Sequence, residues 1–155
     1  MFWNLVTAGI FGIDYHIKKK VNATRKKNSK EEKLGGKLIL RNCHNDGLML
    51  GMFRDKDKET LRDASTFVLG GVIWEYFRTL GEKGAGASRL GLSMVLGGGL
   101  NNYTERRRKG YVTDYFSLNI GSDKLKTIVF NLSDLFIFVG ALIWGGSKIF
   151  SEKEK

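Results

Sequence analysis

Proline is absent from this chain, cysteine occurs once and histidine twice, and the 16 acidic residues are outnumbered by 26 basic ones. A single cysteine, Cys43, excludes a disulfide scaffold within the chain. No Cys or His cluster at ligand spacing accompanies His16 or His44, so neither a metal nor another cofactor is expected. No activating pattern surrounds Cys43, which reads as a plain thiol rather than a nucleophile. There is no internal repeat, and no stretch is so low in complexity that it must be a linker. Long disorder is excluded too, because 42% hydrophobic and 12% aromatic residues supply enough apolar surface to order the chain.

What is present is positive charge and a marked segregation of apolar residues. The 155 residues fit one domain and carry a net charge of +10. Such a charge suits nucleic acid or anionic lipid, and composition alone does not choose between them. Its distribution does. Residues 1–17 are apolar apart from Asp14 and run into Lys18-Lys19-Lys20. Basic residues after the apolar stretch invert the order of a secretory signal peptide, so this segment is read as uncleaved. Residues 64–80 and 87–100 are further apolar blocks, and 128–150 is the strongest. A bilayer-spanning helix needs roughly 17–25 predominantly apolar residues. Only the last block reaches that without argument, and it contains Asp134, a carboxylate whose cost at membrane depth marks a functional candidate. Ala87 with Gly91, and Ser93 with Gly97, have the four-residue spacing that suits close helix packing in lipid.

Four local patterns add chemistry. Asp14 and Lys18 are four residues apart, on one face of a helix. Asn45-Asp46-Gly47 is a turn-like tripeptide. GGGLNNYTERRRKGYVTDY occupies 97–115, and FNLSD occupies 130–134. Asp114 follows an extended-looking approach and Asp134 opens the strongest apolar block, so both can reach the same membrane surface. Two close carboxylates in a low-dielectric site share a proton, which equips one to activate water and the other to protonate a carbonyl.

In this order the patterns resemble signal peptidase II, the membrane aspartic proteases that mature bacterial lipoproteins. The resemblance runs from Asp14 to about Ile143. Gly97, Gly98, Asn102, Arg106, Gly110, Val112 and Asp114 match the family's third motif, and Phe130, Asn131 and Asp134 its fourth. Asn101, Glu105, Tyr115 and Ser133 depart from it, standing where the family has Gly, Asp, Phe and Ala. The resemblance implies an aspartic endopeptidase with Asp114 and Asp134 as the catalytic pair. Asn45, Gly47, Asn102, Arg106, Asn131 and Glu105 would bind substrate or orient the aspartates, and Asp14 with Lys18 would brace the first helix. It implies cleavage of a diacylglyceryl-modified prolipoprotein on the amino side of its lipidated cysteine.

The expected fold is an all-α membrane protein with four transmembrane helices near 1–17, 64–80, 84–102 and 128–150. A small extracytoplasmic β-like cradle is expected near 34–53, within a polar segment 18–63, and a short helix or loop before the last span. The expected setting is the bacterial cytoplasmic membrane, with the site at the extracytoplasmic face. The partners would be substrate and anionic lipid, and no nucleic acid, because Arg106–Lys109 abuts a span. Charge opposes that orientation: Arg78, Lys83, Arg89, Lys148, Lys153 and Lys155 lie on one side, and the rest of the 26 lie on the aspartate side. Together with Asn101 and Glu105, this keeps open an alternative, a catalytically altered family member serving as a lipoprotein-binding or scaffold protein.

Overall fold

A computed structural model describes the backbone of residues 2–47, 58–121 and 126–153. Seven elements follow in order: α1 (Phe2–Thr24), β1 (Lys30–Lys33), β2 (Leu38–Asn45), α2 (Lys58–Leu80), α3 (Gly86–Lys109), β3 (Val112–Leu118) and α4 (Leu132–Lys153). The helices outrun the apolar blocks. α1 continues through its three lysines to Thr24 and α3 through its arginines to Lys109, because lysine and arginine are good helix formers. The basic cluster Arg106–Lys109 also fills the last turn of α3, where cations complement the helix dipole. Gly110 stops this helix by taking a left-handed conformation (φ 78°), its N–H bonding the Arg106 carbonyl at 2.8 Å.

α3 is the central element. It runs parallel to α1, with Gly97 against Thr7 and Ile10, and antiparallel to α4, with Gly91 against Trp144 and Gly98 against Ser133. A Cβ on Gly98 would sit 2.5 Å from the Ser133 carbonyl, and one on Gly140 2.5 Å from the Gly91 carbonyl, so these helices meet backbone to backbone. Of the small-residue pairs noted in the sequence, Gly91 and Gly97 do make such contacts. They serve different partners, since Gly91 faces α4 and Gly97 faces α1.

The sheet is antiparallel in the order β1-β2-β3. It is larger than the element expected at 34–53, whose last residues lie outside those described. β1 comes from the lysine-rich stretch, and all four of its residues are exposed, giving the sheet a charged edge that resists pairing with other strands. β3 comes from the stretch preceding the last block. Beyond it, Phe130 exchanges backbone hydrogen bonds with Phe116, at 2.7 and 3.0 Å, so the chain is still extended at 130 and α4 begins at Leu132 rather than at 128.

Only Leu132–Phe150 is long and apolar enough to cross a membrane by itself among the described residues, with a mean hydropathy of 1.4. The other three helices carry ionisable groups that lower their averages. In α1 two of these groups face inward, Asp14 and Lys18, which are both buried, while Lys19 and Lys20 are exposed. The buried positions favour polar side chains. Among the described residues eight hydrophobic side chains are buried against fifteen polar or charged ones, while Phe67, Trp74, Phe77, Phe138, Leu142 and Phe150 are exposed. The apolar core is small, built from Tyr76, Leu92 and Leu96 with Trp3, Leu69, Val72 and Trp144 packed on it.

Candidate active site

Asp114 is the third residue of β3, and Asp134 lies in the first turn of α4. The Phe116–Phe130 bridge folds the end of the loop back onto β3, and α4 starts directly after it. Both carboxylates therefore line one cavity of about 240 Å³ between α2, α3 and α4. Asn45, Asn102 and Arg106 join them at its polar end, while Val68, Leu69, Val72, Val95 and Ile137 wall the rest.

Every carboxylate oxygen of the pair is held by an amide. Asn131 Nδ2 donates to Asp114 Oδ1 at 2.8 Å and Asn45 Nδ2 to Asp114 Oδ2 at 2.9 Å. Asn102 Nδ2 donates to Asp134 Oδ1 at 2.9 Å and the Asn131 backbone N–H to Asp134 Oδ2 at 3.1 Å. Asn131 has a second task, accepting the Asp134 N–H on its Oδ1 at 3.0 Å. That reciprocal pair is a capping box. One asparagine thus starts α4 and clamps Asp114. Asn45 is bifunctional in the same way. Its Oδ1 accepts the Gly47 N–H at 3.0 Å, fixing the turn after β2, and the register of Asn45 opposite Val112 lets its amide reach Asp114 diagonally.

Arg106 spans from α3 to this turn and donates to the Gly47 carbonyl. Its buried Nε has no hydrogen-bond partner among the described residues, and the residue lines the cavity. Burial, followed by the neighbouring charge of Asp134, pushes the Asp114 carboxyl up to about 7, against the opposing pull of the Asn131 and Asn45 amides. A carboxyl at that value holds a proton near neutrality.

Behind the pair lies a second polar layer. Lys18 Nζ pairs with Asp14 at 3.1 Å and Glu105 at 3.4 Å, and donates to Asn101 Oδ1 at 2.8 Å and Asn102 Oδ1 at 2.6 Å. It thereby orients the amide that holds Asp134. Glu105 also accepts from the Thr113 N–H at 2.9 Å and the Thr113 hydroxyl at 2.6 Å, which anchors the residue before Asp114. Asp14 receives the hydroxyls of Tyr115, at 2.8 Å, and Ser133, and the Tyr115 oxygen accepts the Leu132 N–H at 3.0 Å.

All ten residues singled out in the sequence therefore fall in one connected site: the two aspartates with Asn45, Gly47, Asn102, Arg106 and Asn131 around them or on the turn beside them, and Asp14, Lys18 and Glu105 behind. Sequence reasoning treated Asn101, Tyr115 and Ser133 only as departures and passed over Thr113. The signal was their polarity. Asn101, Tyr115 and Ser133 each bring a hydrogen-bonding group, and all three are spent on Asp14 or Lys18. Among the described residues no group of three or more His, Cys, Asp or Glu side chains is placed to hold a metal ion.

Long helices packed through glycine, an apolar cleft and an amide-clamped carboxylate pair at its polar end define a helical protein with a two-carboxylate site. The chain belongs to the signal peptidase II family, whose model, described as Signal peptidase (SPase) II, matches residues 6–150. It is 33% identical over 107 residues to the lipoprotein signal peptidase of Rhizorhabdus wittichii, a match covering 67% of this chain and 59% of that protein. It is 29% identical to the lipoprotein signal peptidase of Moorella thermoacetica, over 86% of this chain and 83% of the relative. A bacterial membrane enzyme solved by the in meso method at 2.3 Å resolution has the same fold, with a TM-score of 0.84 and 20% identity over 99% of this chain and 91% of the other.

Proposed function

We propose that this chain is an aspartic endopeptidase of the signal peptidase II type, embedded in the bacterial cytoplasmic membrane by four helices. It removes the signal peptide from diacylglyceryl-modified prolipoproteins on the amino side of the lipidated cysteine. The observation that carries this reading is the meeting of Asp114 and Asp134 at the polar end of an apolar cleft, each held by asparagine amides. The pair shares one proton. The ionised member takes a proton from water, which attacks the scissile carbonyl, while the protonated member supplies its proton to the carbonyl oxygen. The Arg106 guanidinium, at the polar end of the cleft, is a donor for a substrate carbonyl, and the Val68, Leu69, Val72, Val95 and Ile137 wall suits an apolar signal segment or acyl chain. A lipid-anchored substrate explains a site at membrane level, because its acyl chains stay in the bilayer and deliver the peptide bond to the interface. The site then faces the extracytoplasmic side.

The departures that motivate a non-catalytic family member lose force at the residue level. Asn101 and Glu105 are fully engaged by Lys18, Lys109 and Thr113, behind the aspartates and not among them. In the deciding assay, purified protein is incubated with a lipidated prolipoprotein beside the Asp114→Asn and Asp134→Asn variants. Cleavage by the parent and its loss, by about 10³-fold or more, in either variant is the expected result. A folded parent that leaves the substrate intact would sink the protease reading.

A further inference from the structure

On the side of α3 away from the carboxylates, α1 and α3 run parallel and enclose a furrow with two unlike halves. One half is a cavity of about 290 Å³ walled by apolar groups that include Phe11, Ile73, Phe77, Leu96 and Leu100. The other is a cavity of about 220 Å³ lined by Tyr15, Lys19 and Asn22 of α1 and Thr104, Arg108 and Lys109 of α3. Phe11 and Tyr15, stacked with ring centroids 6.1 Å apart, join the two along α1.

The charge in the basic half is unbalanced. Lys18 forms its floor and is consumed by Asp14, Glu105, Asn101 and Asn102. Glu105, the single carboxylate lining it, is already shared between Lys18, Lys109 and Thr113. Lys19 and Arg108 remain, exposed and facing each other across the furrow with no ion pair among the described residues. The depth is also defined. Tyr15, 42% exposed, stands where the apolar run 1–17 gives way to Lys18–Lys20, the level at which tyrosines and lysines meet lipid headgroups.

We propose that this furrow binds one anionic phospholipid, its phosphate between Lys19 and Arg108 with the hydroxyl of Thr104 nearby as a donor, and an acyl chain along the Phe11 half. This rests on the membrane setting proposed above. The site is separate from the substrate cleft and differs in selectivity: a diacylglyceryl group carries no charge for Lys19 and Arg108, whereas a phosphodiester does. It also accounts for part of the positive charge on the aspartate side, which binds lipid there instead of setting topology.

The test is native mass spectrometry of the full chain, released from detergent containing phosphatidylglycerol or phosphatidylcholine. The expected result is one retained phosphatidylglycerol per chain, weakened about tenfold or more in the Lys19→Gln/Arg108→Gln double variant. A Lys30→Gln/Lys33→Gln variant, which removes equal charge from the sheet edge, should keep it, and thermal melting should show all three proteins folded. Equal retention of phosphatidylcholine, equal loss in both variants, or no loss in either overturns the site. Displacement of the lipid by millimolar inorganic phosphate would identify a free-phosphate site and overturn the lipid assignment. The measurement uses no prolipoprotein, so it succeeds or fails independently of the cleavage assay.

Discussion

Asn131 shows why a residue's two readings need not compete. Asparagine before an apolar helix is a cap by preference, and asparagine between two aspartates is a clamp by chemistry; here Oδ1 does the first and Nδ2 the second. Asn131→Ala should therefore lose about 1 kcal/mol of stability from the cap together with much of kcat. Asn45→Ala, which removes the other Asp114 donor but no helix cap, should lower kcat with a smaller shift in melting temperature. Kinetics and thermal melting of both variants check this. Asp114 adds a pH dependence. Its folded value of about 7 lies above the ordinary 3.8, so the fold favours the protonated form. The stabilisation is complete below about 4 and is lost as pH rises through about 7. Cleavage should fall over the same upper limb, as the shared proton leaves. The Asp114→Asn variant should lose less stability between pH 5 and 8 than the parent, and a parallel pH dependence in the two would contradict the assignment.

At the scale of elements, α3 and α4 carry the site on a backbone-to-backbone contact. Gly98 faces the Ser133 carbonyl, one residue before Asp134, so the packing of this glycine sets where the carboxylate sits. Gly98→Ala should push the first turn of α4 away, lowering both melting temperature and activity. Gly145→Ala is the matched control, because nothing lies within 4 Å of its added Cβ. It should be neutral or stabilising by about 0.5–1 kcal/mol through helix propensity. If the two behave alike, the close approach is not what positions Asp134. The second device is the layer behind the pair. Tyr115 and Ser133 tie the first residues of α4 to Asp14 on α1, across 101 and 119 residues of chain.

For the whole molecule, the inversion of burial decides the environment. Polar groups fill the interior while Phe67, Trp74, Phe138 and Leu142 face outward, a distribution that water would not tolerate and lipid would. Among the described residues hydropathy alone credits a single span, because the ionisable residues of α1, α2 and α3 are averaged in regardless of which way they point. Orientation is testable directly. In a Cys43→Ser background, Ile120→Cys at the exposed end of the sheet should react with a membrane-impermeant maleimide on intact cells, while Lys83→Cys between α2 and α3 should react only after lysis. The reverse pattern would mean that the positive-inside tendency holds and the proposed sidedness is wrong.

Much of this was legible in one dimension. The apolar blocks announced four helices, because burial in a helix needs only a local run of suitable residues. The aspartates, their asparagines and the Asp14–Lys18 pair were legible because they sit in short motifs with fixed spacing. Of the strands only β2 was, within the element expected near 34–53: β1 is an exposed run of charges that pairs only because a partner strand lies beside it, and β3 had no outward mark beyond an extended-looking approach to Asp114. Nor could any local pattern show that Tyr115, Ser133, Asn101 and Thr113 belong together, since their common partners lie on α1 or behind β3. The sequence by itself determined which residues carry charge and which runs are apolar, since both are properties of single residues and their neighbours. Only the tertiary structure decided that Asp14 and Lys18 of α1 point inward onto α3, that the two aspartates share a cavity, and that Lys19 and Arg108 face a furrow. Those are facts about surfaces meeting, and glycine contacts and strand pairing set them at long range.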